Sequence, residues 1–311
     1  MNLLQIVSQA CNEMGIAAPS TVAAATDLQT IQMYSLVNRE GNELRQMHDW
    51  TELQAQYVIT VHQGIDTTGD TVDGSTIITN IPDTSGITAQ YYVVSGDYVN
   101  QAARVVSVDS STQVTLNIPV TATQTGAALT FTKDTWPEPS DFDHFINETW
   151  WDVTNHWMLL GPDSPQRDEQ HRSGIVTTGP RRHFRQVGRA SGSNYRLWPP
   201  ISSIENDFSI EFEYVSNAWV QTLAGAYQSS MTADTDICTL DPQAVVMGLK
   251  WRFFQVKQLD FAPMQAEYLD YVNRRIAQDG GAKTQRLDRG SVDSWLISPA
   301  QVPDGNWPGG A

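Results

Sequence analysis

Apolar residues in this chain recur with two different periods, and the alternation between them divides the sequence into blocks. Leu3, Leu4, Val7, Cys11 and Met14 fall at helical spacings and stop at Gly15, a residue common just past a helix end. After Pro19 a second helical stripe starts near Asp27, carries Met33, Val37, Leu44 and Met47 on one face, and ends at Trp50. Gly41 lies on the same stripe. Glycine costs ~1 kcal/mol against alanine inside a helix, so the pattern predicts a neighbouring backbone packed close to it.

From Gly64 to Phe131 the text changes to Thr, Ser, Gly, Val and Asp. One basic residue, Arg104, stands there against Asp66, Asp70, Asp73, Asp83, Asp97 and Asp109. Short β-branched runs sit between turn signals at 75–79, 91–94, 104–108, 113–116 and 128–131, which predicts a small antiparallel β module. Helical text on both sides makes it an insertion, a sandwich or barrel-like unit over 63–133 within a host covering 1–62 and 134–279.

The host resumes at Trp136. Ser140 with Asp143 three residues on has the form of a capping box, and Phe142, Phe145, Ile146, Thr149, Val153, Trp157 and Leu160 follow at helical spacing until Gly161 and Pro162. The expectation is a long helix over this stretch, with Asp141, Asp143 and His144 in its first turn, where carboxylates favour the positive end of the dipole. Residues 167–196 form a basic, loop-rich stretch with room for a short hairpin. Tyr195 to Trp198 and the strictly alternating Phe208 to Tyr214 then read as strands, giving a β-hairpin region over about 175–216. Asp241 and Pro242 open a further helix with Val245, Leu249, Phe253 and Val256 on its buried face. A last helix past Pro263 carries Leu269, Val272 and Ile276. From 280 to 311 the pattern dissolves into Gly, Pro and Ser with isolated aromatic residues, an extended tail. The expected fold class is therefore α+β: a bundle of about four to five helices, an inserted antiparallel β module, a second short β region and a C-terminal tail.

Composition narrows what such a molecule does. Nineteen Lys and Arg against 35 Asp and Glu leave a charge of −16 over 311 residues, which removes the overall cationic field that coats nucleic acid. No apolar run approaches the ~20 residues of a membrane-spanning helix, and the first residues do not read as a signal peptide. Cys11 and Cys238 are too few for a disulfide framework, so a reducing cytoplasm is the expected place of synthesis and both thiols are expected to pack as small apolar groups.

Catalytic motifs give negatives: there is no phosphate-binding glycine loop, no nucleophile elbow and no H-E-x-x-H. Asp234, Asp236 and Asp241 invite a calcium reading, but the loop glycine and terminal glutamate are missing, and turn or cap aspartates are the alternative. His156, His171 and His183 are scattered, without the i, i+4 spacing of a helical zinc site, so no metal, cofactor or catalytic residue is assigned. Two features point to partners. Arg181, Arg182, Arg185 and Arg189 form the strongest local positive charge, either a solvated loop or a patch for an acidic neighbour, including a second copy of this chain. Trp295, Leu296, Ile297 and Trp307 lie in the tail, where large apolar side chains suit a segment that anchors on a partner.

The order of elements adds a resemblance. Two N-terminal helices ending in Trp50, then Pro139-Ser140-Asp141-Phe142, Leu197-Trp198-Pro199-Pro200, Ile210 to Val215, Thr232 to Asp236 and a final helical pair resemble the head-to-tail adaptors of tailed bacteriophages, the tail tubular protein A-like group, over roughly 1–62 and 134–278. The insert, with Asp73 to Thr79, Thr84 to Gly86, Val94 to Gly96 and Val106 to Leu116, resembles a small β repeat that decorates phage structural proteins. The resemblance implies a non-enzymatic virion protein of the head-tail junction, assembled in the host cytoplasm. It also implies a ring of twelve copies bound to the portal protein and to a downstream tail or nozzle protein. Genomic DNA would pass through the lumen without specific binding, and no membrane would be involved. Other readings of the same residues are a tail or stopper component away from the portal, a carbohydrate or host-surface module using Tyr91, Tyr92 and Tyr98, and a hydrolase with paired carboxylates.

Overall fold

In a computed structural model, residues 1–96, 98–100, 103–172, 182–189, 192–201 and 205–280 are described. Helix α1 (Leu3–Met14) starts where Asn2 and Gln5 cap each other's backbone N–H groups, and α2 (Leu28–Met47) starts at the Asp27 cap. At the other end of the chain, Asp241 caps α4 (Pro242–Val256) and α5 (Ala262–Gln278) carries Pro263 in its first turn. These four helices bury Leu3, Ile6, Met33, Leu44, Val245 and Leu249 in one core, so residues 3–47 and 242–278 make a single helical layer.

Within that layer an ion pair is sealed. Glu40 of α2 is fully buried and Arg252 of α4 is 2 % exposed; the Arg252 Nε donates to Glu40, and its Nη2 donates to Glu43 at 2.6 Å. Burial pushes the Glu40 carboxyl above the ordinary glutamate value, and the adjacent guanidinium offsets part of that rise. Gly248 is where α4 makes room: a Cβ there would overlap the Glu40 carboxyl group. Gly41 answers to the same kind of constraint, but its neighbour is the Trp219 ring rather than a backbone.

Most of the other described elements are β strands, and this overturns the expected helical bundle with a small β insert. Strand β1 (Gln54–Val61) leads into β2 (Ile65–Thr71), β3 (Ile77–Ile78), β4 (Tyr92–Gly96), β5 (Ala103–Ser110), β6 (Gln113–Leu116) and β7 (Gln124–Lys133). The last six form one antiparallel sheet in the order β2-β7-β4-β5-β6-β3. A bridge between Asp70 and Thr79 draws its two edges together, giving a nearly closed barrel around Ile78, Val94, Val105, Val114, Leu129 and Phe131. Arg104 anchors this barrel to the rest of the chain: buried, it donates to Asp134 Oδ1 at 2.8 Å and to the Gln90 carbonyl at 2.8 Å.

The second correction concerns 140–160. The long helix expected there is replaced by β8 (Thr135–Pro137), β9 (Phe142–Phe145), β10 (Trp151–Asp152) and β11 (Trp157–Met158). Aromatic and β-branched side chains suit strands as well as a helical stripe, and the backbone decides against the helix: Glu148 and His156 adopt φ of 65° and 60°. Asp152 Oδ1 accepts from the Thr154 and Asn155 amides, closing a turn that the helix would have run through. Asp143 and His144 are therefore not first-turn residues; Arg45 donates to Asp143 at 2.7 Å, and His144 lies between Asp143 and Asp49.

Downstream, α3 (Pro165–Arg172) occupies ground that read as loop, followed by β12 (His183–Arg189) and β13 (Gly192–Trp198), which pair with each other, β13 also pairing with β8. Strand β14 (Phe208–Ser216) does not join them. It lies antiparallel to β1 over eight residue pairs, Gln54 opposite Val215 to Val61 opposite Phe208, and also pairs with β9 and β10, β11 completing that sheet. A small sheet of β15 (Val220–Gln221), β16 (Tyr227–Gln228) and β17 (Ile237–Cys238) closes the path to α4. Five helices and four sheets are present among the described residues, and no helix among them is long and apolar enough to cross a membrane.

The aspartates near this last sheet hold backbone. Asp234 accepts from the Val22 and Ala23 amides, and Asp236 Oδ2 accepts from the Thr232 and Ala233 amides at 2.7 and 2.9 Å. Burial raises the Asp236 carboxyl, but these amides outweigh it and hold it below the ordinary 3.8. A depressed carboxylate contributes stability that is fully present above its unfolded value and is lost as pH falls through the folded one. Urea denaturation should therefore show stability falling below about pH 4, with a shallower acid slope in D236N than in the parent. Gly248→Ala should cost about 1–3 kcal/mol in the same assay despite alanine's better helix propensity, because Glu40 is pinned and cannot retreat.

Candidate functional site

Where the sheets of β14 and β12 meet, the chain stacks aromatic rings. Trp150, 2 % exposed, lies parallel between Phe212 of β14 at 3.9 Å and Phe184 of β12 at 4.0 Å between ring centroids, with Tyr195 of β13 edge-on at 4.9 Å. Beside the stack is a cavity of about 220 Å³ walled by Phe145, Trp150, Leu159, Gly161 and Phe184. Its lining is mostly apolar, with Glu148 as the one carboxylate at its rim.

The segment leaving this cavity is clamped to β12 by backbone. Phe184 N donates to Leu160 O at 2.9 Å, Leu160 N donates to Arg182 O at 3.0 Å, and Asp163 N donates to Phe184 O at 2.9 Å. The clamp sets Asp163 beside His183, the first residue of β12, and α3 brings His171 over the same point. Asp163 Oδ2 is 3.3 Å from His183 Nδ1 and 3.7 Å from His171 Nε2, and the two imidazole centroids are 4.3 Å apart. Asp163 is buried, with its side chain 4 % exposed, while the histidines are half-buried. Burial, with His171 and Arg167 adding to it, holds the His183 imidazole below its ordinary value against the pull of Asp163. Sequence spacing did not find this group: twelve residues separate the two histidines, and they reach each other only through separate elements.

The arginine cluster is placed differently from a free patch. Arg182 donates from Nη2 to Glu205 at 2.9 Å and from Nε to the Pro199 carbonyl at 3.3 Å, with its guanidinium 4.5 Å from the Phe208 ring centre. Arg185 donates to Asp168 Oδ2 at 2.7 Å, and Arg196 reaches the same oxygen at 3.4 Å, so this pair of cations staples α3 to the hairpin. Burial, with Arg104 nearby, pulls Arg196 down to about 10, and it stays charged at neutral pH. Arg189 ends β12 opposite Gly192. Arg181, Trp295, Leu296, Ile297 and Trp307 lie outside the described residues.

Two surfaces complete the inventory. On the outward face of the β1–β14–β10 sheet, Val58, Glu211 and Trp151 stand opposite one another in register, with Gln56, Glu213 and Val153 alongside. Val58 is 48 % exposed and Trp151 44 %, a high value for residues of that size in a central sheet. Two of the tyrosines read as a sugar platform have contacts within the fold. Tyr91 donates to Asn194 Oδ1 at 3.2 Å, and Tyr92 packs on the barrel core.

No protein-family model matches this chain, and no curated protein matches it. Trp150 is the residue on which the geometry of the site rests, so Trp150→Ala should lower unfolding free energy by about 3–5 kcal/mol. The variant should also lose near-ultraviolet circular dichroism, with the barrel core retained as slow amide exchange in residues 65–133.

Proposed function

We propose that this protein is a structural component of a tailed-phage virion, a head-to-tail adaptor that assembles as a ring between portal and tail. The resemblance set out from the sequence motivates the reading, and the outward sheet face is the observation that carries it. An aromatic and aliphatic strip bordered by Glu148, Glu211 and Glu213 is the kind of surface that a subunit covers with its neighbour rather than leaves in water. The charge of −16 supports it as well, since an acidic wall around a channel repels the phosphate backbone and lets duplex DNA pass without sticking.

In this reading the segment 281–311 docks on the portal through Trp295, Leu296, Ile297 and Trp307, and the ring contacts are made by the folded body. Native mass spectrometry of the full chain mixed with the portal ring encoded in the same genome should show one copy per portal subunit. A chain ending at 280 should keep its thermal unfolding profile and lose the complex. Failure of the full chain to bind the portal, or equal binding by the shortened chain, would overturn the respective part of the proposal.

A further inference from the structure

We propose that Asp163, His171 and His183 form a binding site for a divalent transition-metal ion of zinc type, which ties α3 to the β12–β13 hairpin. One donor atom from each residue lies within 4.8 Å of the other two. A tetrahedral ion with bonds of about 2.0–2.1 Å holds its ligands roughly 3.4 Å apart. The carboxylate-to-imidazole distances of 3.3 and 3.7 Å bracket that value, so little rearrangement is needed to close the set. Two imidazoles and one carboxylate are the donor set of a borderline cation, which leaves calcium and magnesium, with their demand for oxygen, poorly served.

Hydrogen bonding sharpens the argument. His183 Nδ1 is buried, and its nearest polar neighbour is Asp163 Oδ2 at 3.3 Å, longer than a well-formed hydrogen bond. A buried ring nitrogen that is poorly hydrogen-bonded is costly unless something else satisfies it, and a metal ion does. His171 Nε2 accepts from Arg167 Nε at 3.4 Å, which puts its proton on Nδ1 and keeps its one lone pair on the nitrogen nearest Asp163, where a metal displacing Arg167 would take it. Arg167 also lies 3.4 Å from Asp163 Oδ1, and its side chain is 55 % exposed. It is therefore a cation standing at the site that can swing into water when a metal arrives.

The ion-pair explanation of the same residues makes the opposite forecast for Arg167. If the cluster serves only as a structural ion pair, removing Arg167 weakens it and brings no metal affinity. If it is a metal site, Arg167→Gln removes a neighbouring positive charge and frees a carboxylate oxygen, and affinity should rise by roughly tenfold.

The test uses the full chain, stripped with a chelator and titrated with Zn²⁺ by calorimetry and with Co²⁺ by visible absorption. Expected are one equivalent per chain, intense cobalt bands of a four-coordinate site, and an upward shift in thermal unfolding with Zn²⁺. Asp163 is buried, so His171 on the surface helix carries the mutational arm. His171→Gln should keep its circular dichroism and lose more than about 100-fold in affinity. His144→Gln is the control, because His144 also touches two carboxylates but is exposed, and it should bind as the parent does. Absence of saturable binding in the parent, unchanged affinity in H171Q, or loss of binding in H144Q instead would overturn the assignment.

Discussion

The stacking of Trp150 between Phe184 and Phe212 is the contact through which two sheets of different origin become one body. Phe212 belongs to the strand that pairs with β1, and Phe184 to the hairpin that pairs with β8. Their main chains meet at the Leu160–His183 bridge just past β11, and the Trp150 ring fills the space between their side chains. Its indole Nε1 is buried without a hydrogen bond, at a cost of about 1–3 kcal/mol, and the ~150–250 Å² that such a ring removes from water outweighs that cost. The consequence reaches the candidate site directly, because Phe184 is next to His183 and its carbonyl accepts from the Asp163 amide.

Much of the helical layer was legible because helix ends carry local chemistry. Gly15, Asp27 and Asp241 each mark a helix end, and the structure uses each as a cap. The stretch from Phe142 to Leu160 was misread for the complementary reason. Its apolar spacing fits a helix, and what forbids one is left-handed backbone at Glu148 and His156, to which hydrophobic periodicity is blind. The weight of β structure was underestimated for a second reason: several strands are two residues long, below the length at which alternation carries any signal. The arrangement of Asp163, His171 and His183 was invisible because ligand spacing rules describe one element, while these residues come from a loop, a helix and a strand.

Charge is distributed by depth. Arg104, Arg196 and Arg252 are buried, and Arg45, Arg182 and Arg185 are each drawn onto a carboxylate of the same chain. With those cations turned inward, the net charge of −16 is expressed mainly at the surface. Copies of such a molecule repel each other at low ionic strength, and any assembly of them depends on salt to shorten that repulsion to about 10 Å at 0.1 M.

The pairing of β1 with β14 has a further consequence, in time rather than in space. Strand β1 ends at Val61 and its partner begins at Phe208, while α1 and α2 wait for α4, which begins at Pro242. At about 5–20 residues per second, a ribosome needs roughly 10–40 s to deliver what the first two helices require. The barrel, whose strands lie between Ile65 and Lys133, completes its own core early. The nascent chain is thus a closed bead behind two unfinished helices, and Leu3, Ile6, Met33 and Leu44 have no core to enter until α4 is made.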